Sequence, residues 1–220
     1  MLHQNITTRG ATPLPVASGG LTSAFALRAA SIAFGRNVEI YGEDEPAEYF
    51  YEVVSGAVRT YKLLSDGRRQ IGAFHLPGDV FGLEAGTAHS FSAEAVVDSV
   101  IRVAKRSSIV ALAATDASVA ADLWAATARS LRGAQQHMLL LGRKNAEERV
   151  ASFLLAMAGA AGGEIIELPM SRQDIADYLG LTIETVSRTL THLEATAAIA
   201  LPSSRRVVVK SRASLQRLDA

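Results

Sequence analysis

Glu184, Ser187 and Arg188 stand at i, i+3 and i+4 in the segment TIETVSRTL, so a helix there gathers an acceptor, a hydroxyl and a guanidinium on one face. That set suits the edges of base pairs. A glutamate accepts from the cytosine N4 amine, an arginine binds guanine through two parallel hydrogen bonds, and a serine donates or accepts beside either. On an arbitrary helix the same three residues would be a solvated face with an ordinary Glu/Arg pair, so the flanking residues must decide between the two.

Those residues spell a helix-turn-helix. Ser171 and Asp174 have the S-x-x-D spacing of a capping box that opens a helix. Ile175, Tyr178 and Leu179 supply its buried stripe, Ala176 lets a second helix approach closely, and Gly180 supplies the positive φ of a short interhelical turn. Thr182 can cap the second helix, whose Ile183, Val186, Leu190 and Leu193 are expected to point inward. Downstream, AAIALPSSRRVVVK reads as a strand, a turn at residues 202–204 and a second strand led by Arg205 and Arg206. This is a hairpin wing with a basic tip suited to phosphate contacts.

At 220 residues, 49% hydrophobic and 20% charged, the chain can hold two domains with real cores. Its formal net charge is zero, so nucleic-acid binding must rest on the placement of charge rather than its sum. The absence of cysteine excludes disulfides, thiolate zinc sites and cysteine-ligated iron–sulfur clusters. The five histidines, His3, His75, His89, His137 and His192, show no metal-ligand spacing and read as surface or packing residues. Neither a bound metal nor a cofactor is expected. The polar N-terminus lacks the pattern of a signal peptide, and the most apolar later run, residues 109–128, contains Asp116 and Asp122, so no membrane span and a cytoplasmic location are expected.

The chain divides by texture into a flexible leader at 1–20, a sensor-like β-roll domain at 21–114, a dimerisation helix at 115–144 and a winged helix-turn-helix at 145–220. Residues 21–34 could form a short amphipathic helix. From Val38 to Val103 short β-rich runs alternate with turn signals such as Ser55-Gly56, Asp66-Gly67 and Pro77-Gly78, the signature of a small antiparallel barrel or roll. The fold class is α+β. In the long helix Ala120, Trp124, Thr127, Leu131, Ala134, Met138, Leu141 and Asn145 recur in steps of four and three. Such a seam pairs two helices along their length, and a twofold homodimer would set two recognition helices about one DNA turn apart. The same stripe could instead pack on the chain's own roll.

A β-roll, a long helix and a winged helix in this order resemble the CRP/FNR family of bacterial transcription regulators over almost the whole chain, and within it the FixK-type branch. The resemblance is carried by YFYEVVSGAVRTYKLLSDGRRQIGAFHLPGDVFGLE, RKNAEERVASFLL and LPMSRQDIADYLGLTIETVSRTL. It implies a cyclic-nucleotide-binding-like roll and a recognition helix whose E-x-x-S-R motif falls on Glu184, Ser187 and Arg188, reading a TTGA…TCAA inverted repeat in double-stranded DNA. Glu184 and Arg188 would meet the C and G of each half-site, with Ser187 nearer its T. Phosphate contact at the first helix start falls on Arg172, with Ser171, Thr182, Thr185, Arg205 and Arg206 completing the backbone contacts. The resemblance further implies RNA polymerase as a partner, touched by loops at residues 65–69 and 160–164, which the sequence alone would leave as solvent turns.

The chain departs from cyclic-nucleotide-binding relatives at the effector site. The turn that reads G-E-L in those relatives is Gly82-Leu83-Glu84 here, and the place of their phosphate-clamping arginine falls near Phe91, before Ser92. A buried phosphate would lack its bidentate partner. Gly82, Leu83, Glu84, Phe91 and Ser92 therefore read as a vestigial effector pocket, and the FixK-type resemblance implies a regulator, an activator more than a repressor, that needs no small effector. The alternatives are a ligand-gated regulator of the same fold, with a metabolite in the roll, and an enzyme on a cupin-like roll. The second would need clustered metal ligands or a nucleophile with its base, and neither is present.

Overall fold

The β-rich runs become eight short strands in the computed structural model, which describes residues 20–219. They are Ala30–Phe34 (β1), Glu39–Tyr41 (β2), Tyr49–Ser55 (β3), Val58–Leu63 (β4), Arg69–His75 (β5), Val80–Phe81 (β6), Ser92–Ala95 (β7) and Ser99–Lys105 (β8). All pair antiparallel, in two four-stranded sheets ordered β1-β8-β3-β6 and β2-β7-β4-β5. Tyr41, Tyr51, Val53, Val58, Phe81, Ala93 and Ile101 fill the space between them. The Ser55-Gly56 turn is tight: Gly56 has φ +87°, and a Cβ there would lie 2.6 Å from the Asp98 carbonyl. Only glycine fits.

The amphipathic helix expected over residues 21–34 is shorter. Gly20–Arg28 (α1) is helical, with the Leu21 amide held by Asp122 Oδ2 at 3.0 Å, and the remainder forms β1. Residues 30–34 instead pair with β8 from Ala30↔Val103 to Phe34↔Ser99, an edge the local pattern cannot reveal. Gly20 apart, the expected leader lies outside the described residues.

Arg106–Ala113 (α2) leads into Ala117–Arg143 (α3), a 27-residue helix capped by Asp116, whose side chain accepts from the Ser118 and Val119 amides. One face of α3 buries Val119, Ala126, His137 and Leu140. The other leaves Trp124, Leu131 and Met138 at 75%, 60% and 66% exposure in the single chain. Thr127 and Ala134 are exposed beside them, whereas Leu141 packs against the C-terminal core. Asn145 lies beyond the seam, because Lys144 turns extended and Asn145 opens Ala146–Ala161 (α4) through a capping box with Glu148.

The C-terminal part runs Ile165–Glu167 (β9), Arg172–Leu179 (α5), Ile183–Ala195 (α6), Ile199–Ala200 (β10), Arg206–Val209 (β11) and Arg212–Asp219 (α7). The wing hairpin β10–β11 gains β9 as a third strand, through Arg206↔Glu167 and Val207↔Ile166. Phe153, Leu154, Ile166, Ile175, Leu179, Val186, Leu190, Leu193 and Val207 form its core. Among the described residues no helix is long and apolar enough to cross a membrane, and no group of side chains is placed to hold a metal ion.

Candidate nucleic-acid interface

Helix α5 begins as its sequence dictates. Ser171 accepts from the Asp174 amide at 3.1 Å, and Asp174 Oδ2 accepts from the Ser171 amide at 3.0 Å and hydroxyl at 2.7 Å. The helix ends at Gly180, which takes φ +62° and ψ +40°, and its amide donates back to Ala176. Arg149 of α4 braces this turn from behind. Its Nε donates to the Lys144 carbonyl at 2.8 Å, while its terminal nitrogens reach the carbonyls of Leu179 and Leu141, each at 2.9 Å.

Thr182 caps α6 by accepting from the Thr185 amide at 3.2 Å, and the two hydroxyls lie 3.0 Å apart. Val186, Leu190 and Leu193 are buried, and Glu184, Ser187 and Arg188 all face outward. Ile183, expected inward, is 37% exposed, because the first turn lies outside the packed stripe. Thr191 is exposed one turn beyond Ser187, a neighbour its i+4 spacing already implied. Its own backbone amide, the Thr182 hydroxyl and Arg188 hold the Glu184 carboxyl below its ordinary value. Glu184 thus remains an ionised acceptor with a cation one turn away.

Around this face the basic residues differ in their freedom. Arg205 is exposed at the wing tip, while Arg206 makes an exposed ion pair with Glu167. Arg172, in the first turn of α5, is half-buried. One terminal nitrogen has no partner, and burial pushes its guanidinium below its ordinary value. Arg69, placed by the sequence in a loop facing solvent, turns instead onto Asp174 and Asp177 of α5. Nothing in the sequence pattern gave Arg59 a role, yet it joins Arg69 on Asp174.

Between the roll and α3 lies a cavity of about 970 Å³ lined by Gly82, Leu83, Glu84 and Phe91 together with His75, Phe81, Arg129 and Tyr178. Ser92 is not among its lining residues: its hydroxyl accepts from the Glu43 amide at 2.9 Å. Phe91 fits against Gly72, where a Cβ would sit 3.0 Å from its ring. The lining carries Asp79 and Glu84 against the single cation Arg129, a charge set that does not fit a cyclic-nucleotide phosphate.

Comparisons with known proteins agree with this fold. A Crp-like helix-turn-helix domain matches residues 148–218 and a cyclic nucleotide-binding domain matches residues 32–116. The nitrogen fixation regulation protein FixK of Azorhizobium caulinodans is 56% identical over 192 residues, 84% of this chain and 77% of that protein. The transcriptional activatory protein AadR of Rhodopseudomonas palustris is 41% identical, over 82% of this chain and 78% of that protein. The solved structure of FixK2 from Bradyrhizobium japonicum superposes with a TM-score of 0.84 at 57% identity, covering 87% of this chain and 98% of that one. These relatives are transcription regulators rather than enzymes. With both domain types in order and this level of identity along most of its length, the chain belongs to the CRP/FNR family of transcription regulators, as a FixK-like member with a helix-turn-helix DNA-binding domain.

Proposed function

We propose that the chain acts as a homodimeric activator that reads a TTGA…TCAA inverted repeat and recruits RNA polymerase without a small-molecule effector, in the cytoplasm. One observation carries the reading: Glu184, Ser187 and Arg188 are exposed together on α6 while Val186, Leu190 and Leu193 anchor its other side. Glu184 and Arg188 take the C and G of each half-site, and Ser187 its T. Ser171, Arg172, Thr182, Thr185, Arg205 and Arg206 hold the phosphates.

Dimerisation places the exposed Trp124, Leu131 and Met138 against their copies, with Thr127 and Ala134 allowing close approach. Leu141 contributes at most the edge of this seam, since it packs against the C-terminal core. Polymerase contact falls to the exposed hairpin tip, where Leu63 is 65% exposed, and to the α4–β9 turn. Effector independence is supported by the charge of the cavity lining, where Arg129 stands with Asp79 and Glu84, while Lys62, over the Phe91 ring, is paired with Glu43 and does not line the cavity.

The cavity beneath the roll favours one second reading, a regulator gated by an uncharged metabolite. Selection from duplexes with randomised half-sites, followed by transcription with purified polymerase and no added ligand, separates the two. Enrichment of TTGA with active transcription supports the first. Selection that needs a cell extract supports the second.

A further inference from the structure

Arg59 is nearly sealed between the roll and the helix-turn-helix, with 5% of its surface exposed. Its terminal nitrogens donate to Asp174 Oδ1 at 2.9 Å, Glu94 Oε1 at 2.8 Å and Asn37 Oδ1 at 3.2 Å. Arg69 donates to the same Asp174 oxygen at 2.7 Å and, through Nε, to Asp177 Oδ2 at 2.8 Å. Gln70 Nε2 donates to the Asp177 carbonyl at 2.8 Å. Beside this polar edge Phe74 meets Tyr178 with ring centroids 5.3 Å apart, and His137 of α3 stacks on the other side of the joint against Tyr178 at 4.1 Å.

Roll, long helix and reading head thus meet at α5. Apolar contacts alone would let α5 slide, but guanidinium–carboxylate bonds are directional and admit one orientation. The arrangement can also open without stranding a charge in the roll. Arg59 keeps Glu94 and Asn37 when α5 leaves, and the departing carboxylates reach water. Opening costs the orientation of the head more than the fold of either part.

We propose that Arg59 and Arg69 are positioning residues for DNA binding: their ion pairs to Asp174 and Asp177 clasp α5 to the β4–β5 hairpin and set the reading head in one orientation in the ligand-free chain. The proposal rests on α6 being the DNA-reading helix. If the clasped state alone binds its site, apparent affinity falls in proportion to the fraction clasped, equally for every half-site sequence.

The test uses Arg69→Gln and, should that variant fold poorly, Asp177→Asn, which removes only the outer pair. Because the chain has no cysteine, Ser65→Cys at the hairpin tip and Ser203→Cys at the wing tip take spin labels selectively, with labelled chains diluted into unlabelled ones. The expected result is a broader distance distribution and about tenfold weaker binding to the TTGA…TCAA duplex, with the ranking of base substitutions unchanged and both effects partly reversed by Arg69→Lys. Unchanged distances and affinity in a folded variant overturn the proposal, and so does an altered ranking of bases. If the parent itself fails to distinguish cognate from scrambled duplex, the DNA-reading assignment fails, and the distance comparison alone still decides the clasp.

Discussion

Asp174 closes the cap of α5 with one carboxylate oxygen and receives Arg59 on the other. Oδ2 takes the Ser171 amide and hydroxyl, while Oδ1 takes Arg59 and Arg69 at 2.9 and 2.7 Å. Burial by itself raises this carboxyl, but the Ser171 hydrogen bonds and the two guanidinium groups outweigh it and hold the pKa below the ordinary 3.8. One side chain therefore starts the helix-turn-helix and ties it to the roll. Asp174→Ala removes the reciprocal half of the cap, although Ser171 still accepts from the amide at 174, and removes the tie to the roll, leaving Arg69 with Asp177 alone. It should destabilise the protein by about 3 kcal/mol, the lower end for a broken buried pair because Arg59 keeps Glu94. Urea unfolding measures the difference.

Arg188→Ala should relax discrimination at one base pair of the half-site, with a loss of about 1 to 3 kcal/mol on the preferred sequence and little on the others. Competition anisotropy with single-base variants reads it directly. Equal losses on all sequences would make Arg188 a phosphate contact.

Arg205→Ala should behave in the opposite way. Its exposed guanidinium at the wing tip meets phosphate, so binding should weaken on every duplex alike and the log–log salt slope should fall by about one. Arg206→Ala should have the smaller effect, because Arg206 already shares its charge with Glu167.

The helix-turn-helix was legible because its signals are local. Ser171, Asp174, Gly180 and Thr182 lie within a dozen residues and occupy the cap and turn positions that their chemistry suggests. The roll was legible from its glycine-punctuated hairpins for a similar reason. Strand β9 was not, since three residues flanked by turns show no alternation, and β1 was hidden by a sequence that also suits a helix. The clasp was out of reach of any local pattern: Arg59 and Asp174 are separated by 115 residues, and only the assembled fold makes them neighbours.

Leu131→Glu on the exposed face of α3 should yield a monomer by sedimentation and reduce binding to the full inverted repeat far more than to a single half-site. Leu131 is 60% exposed in the single chain, so the substitution leaves the fold of each copy intact.

Burial pushes His75 from 6.5 down to about 4, and burial also lowers His137 against the opposing pull of the Tyr178 carbonyl. The folded chain thus keeps both rings neutral where the unfolded chain takes up protons. The contribution of His75 is complete above its ordinary 6.5 and is lost as pH falls from there toward 4, and that of His137 weakens in the same direction. His75→Phe, stacked on Phe81 as the imidazole is, should flatten the dependence of melting temperature on pH in that window, leaving the smaller slope due to His137.

The most direct test of the whole account is fluorescence anisotropy of the purified, ligand-free protein on a duplex carrying TTGA and TCAA half-sites, against a scrambled duplex, at two salt concentrations. Tight binding to the first, weak and steeply salt-dependent binding to the second, and no change on adding cyclic nucleotide are the predicted results. Equal affinity for both duplexes would contradict the assignment of Glu184, Ser187 and Arg188 as the reading face, and selectivity that appears only with an added small molecule would contradict effector independence.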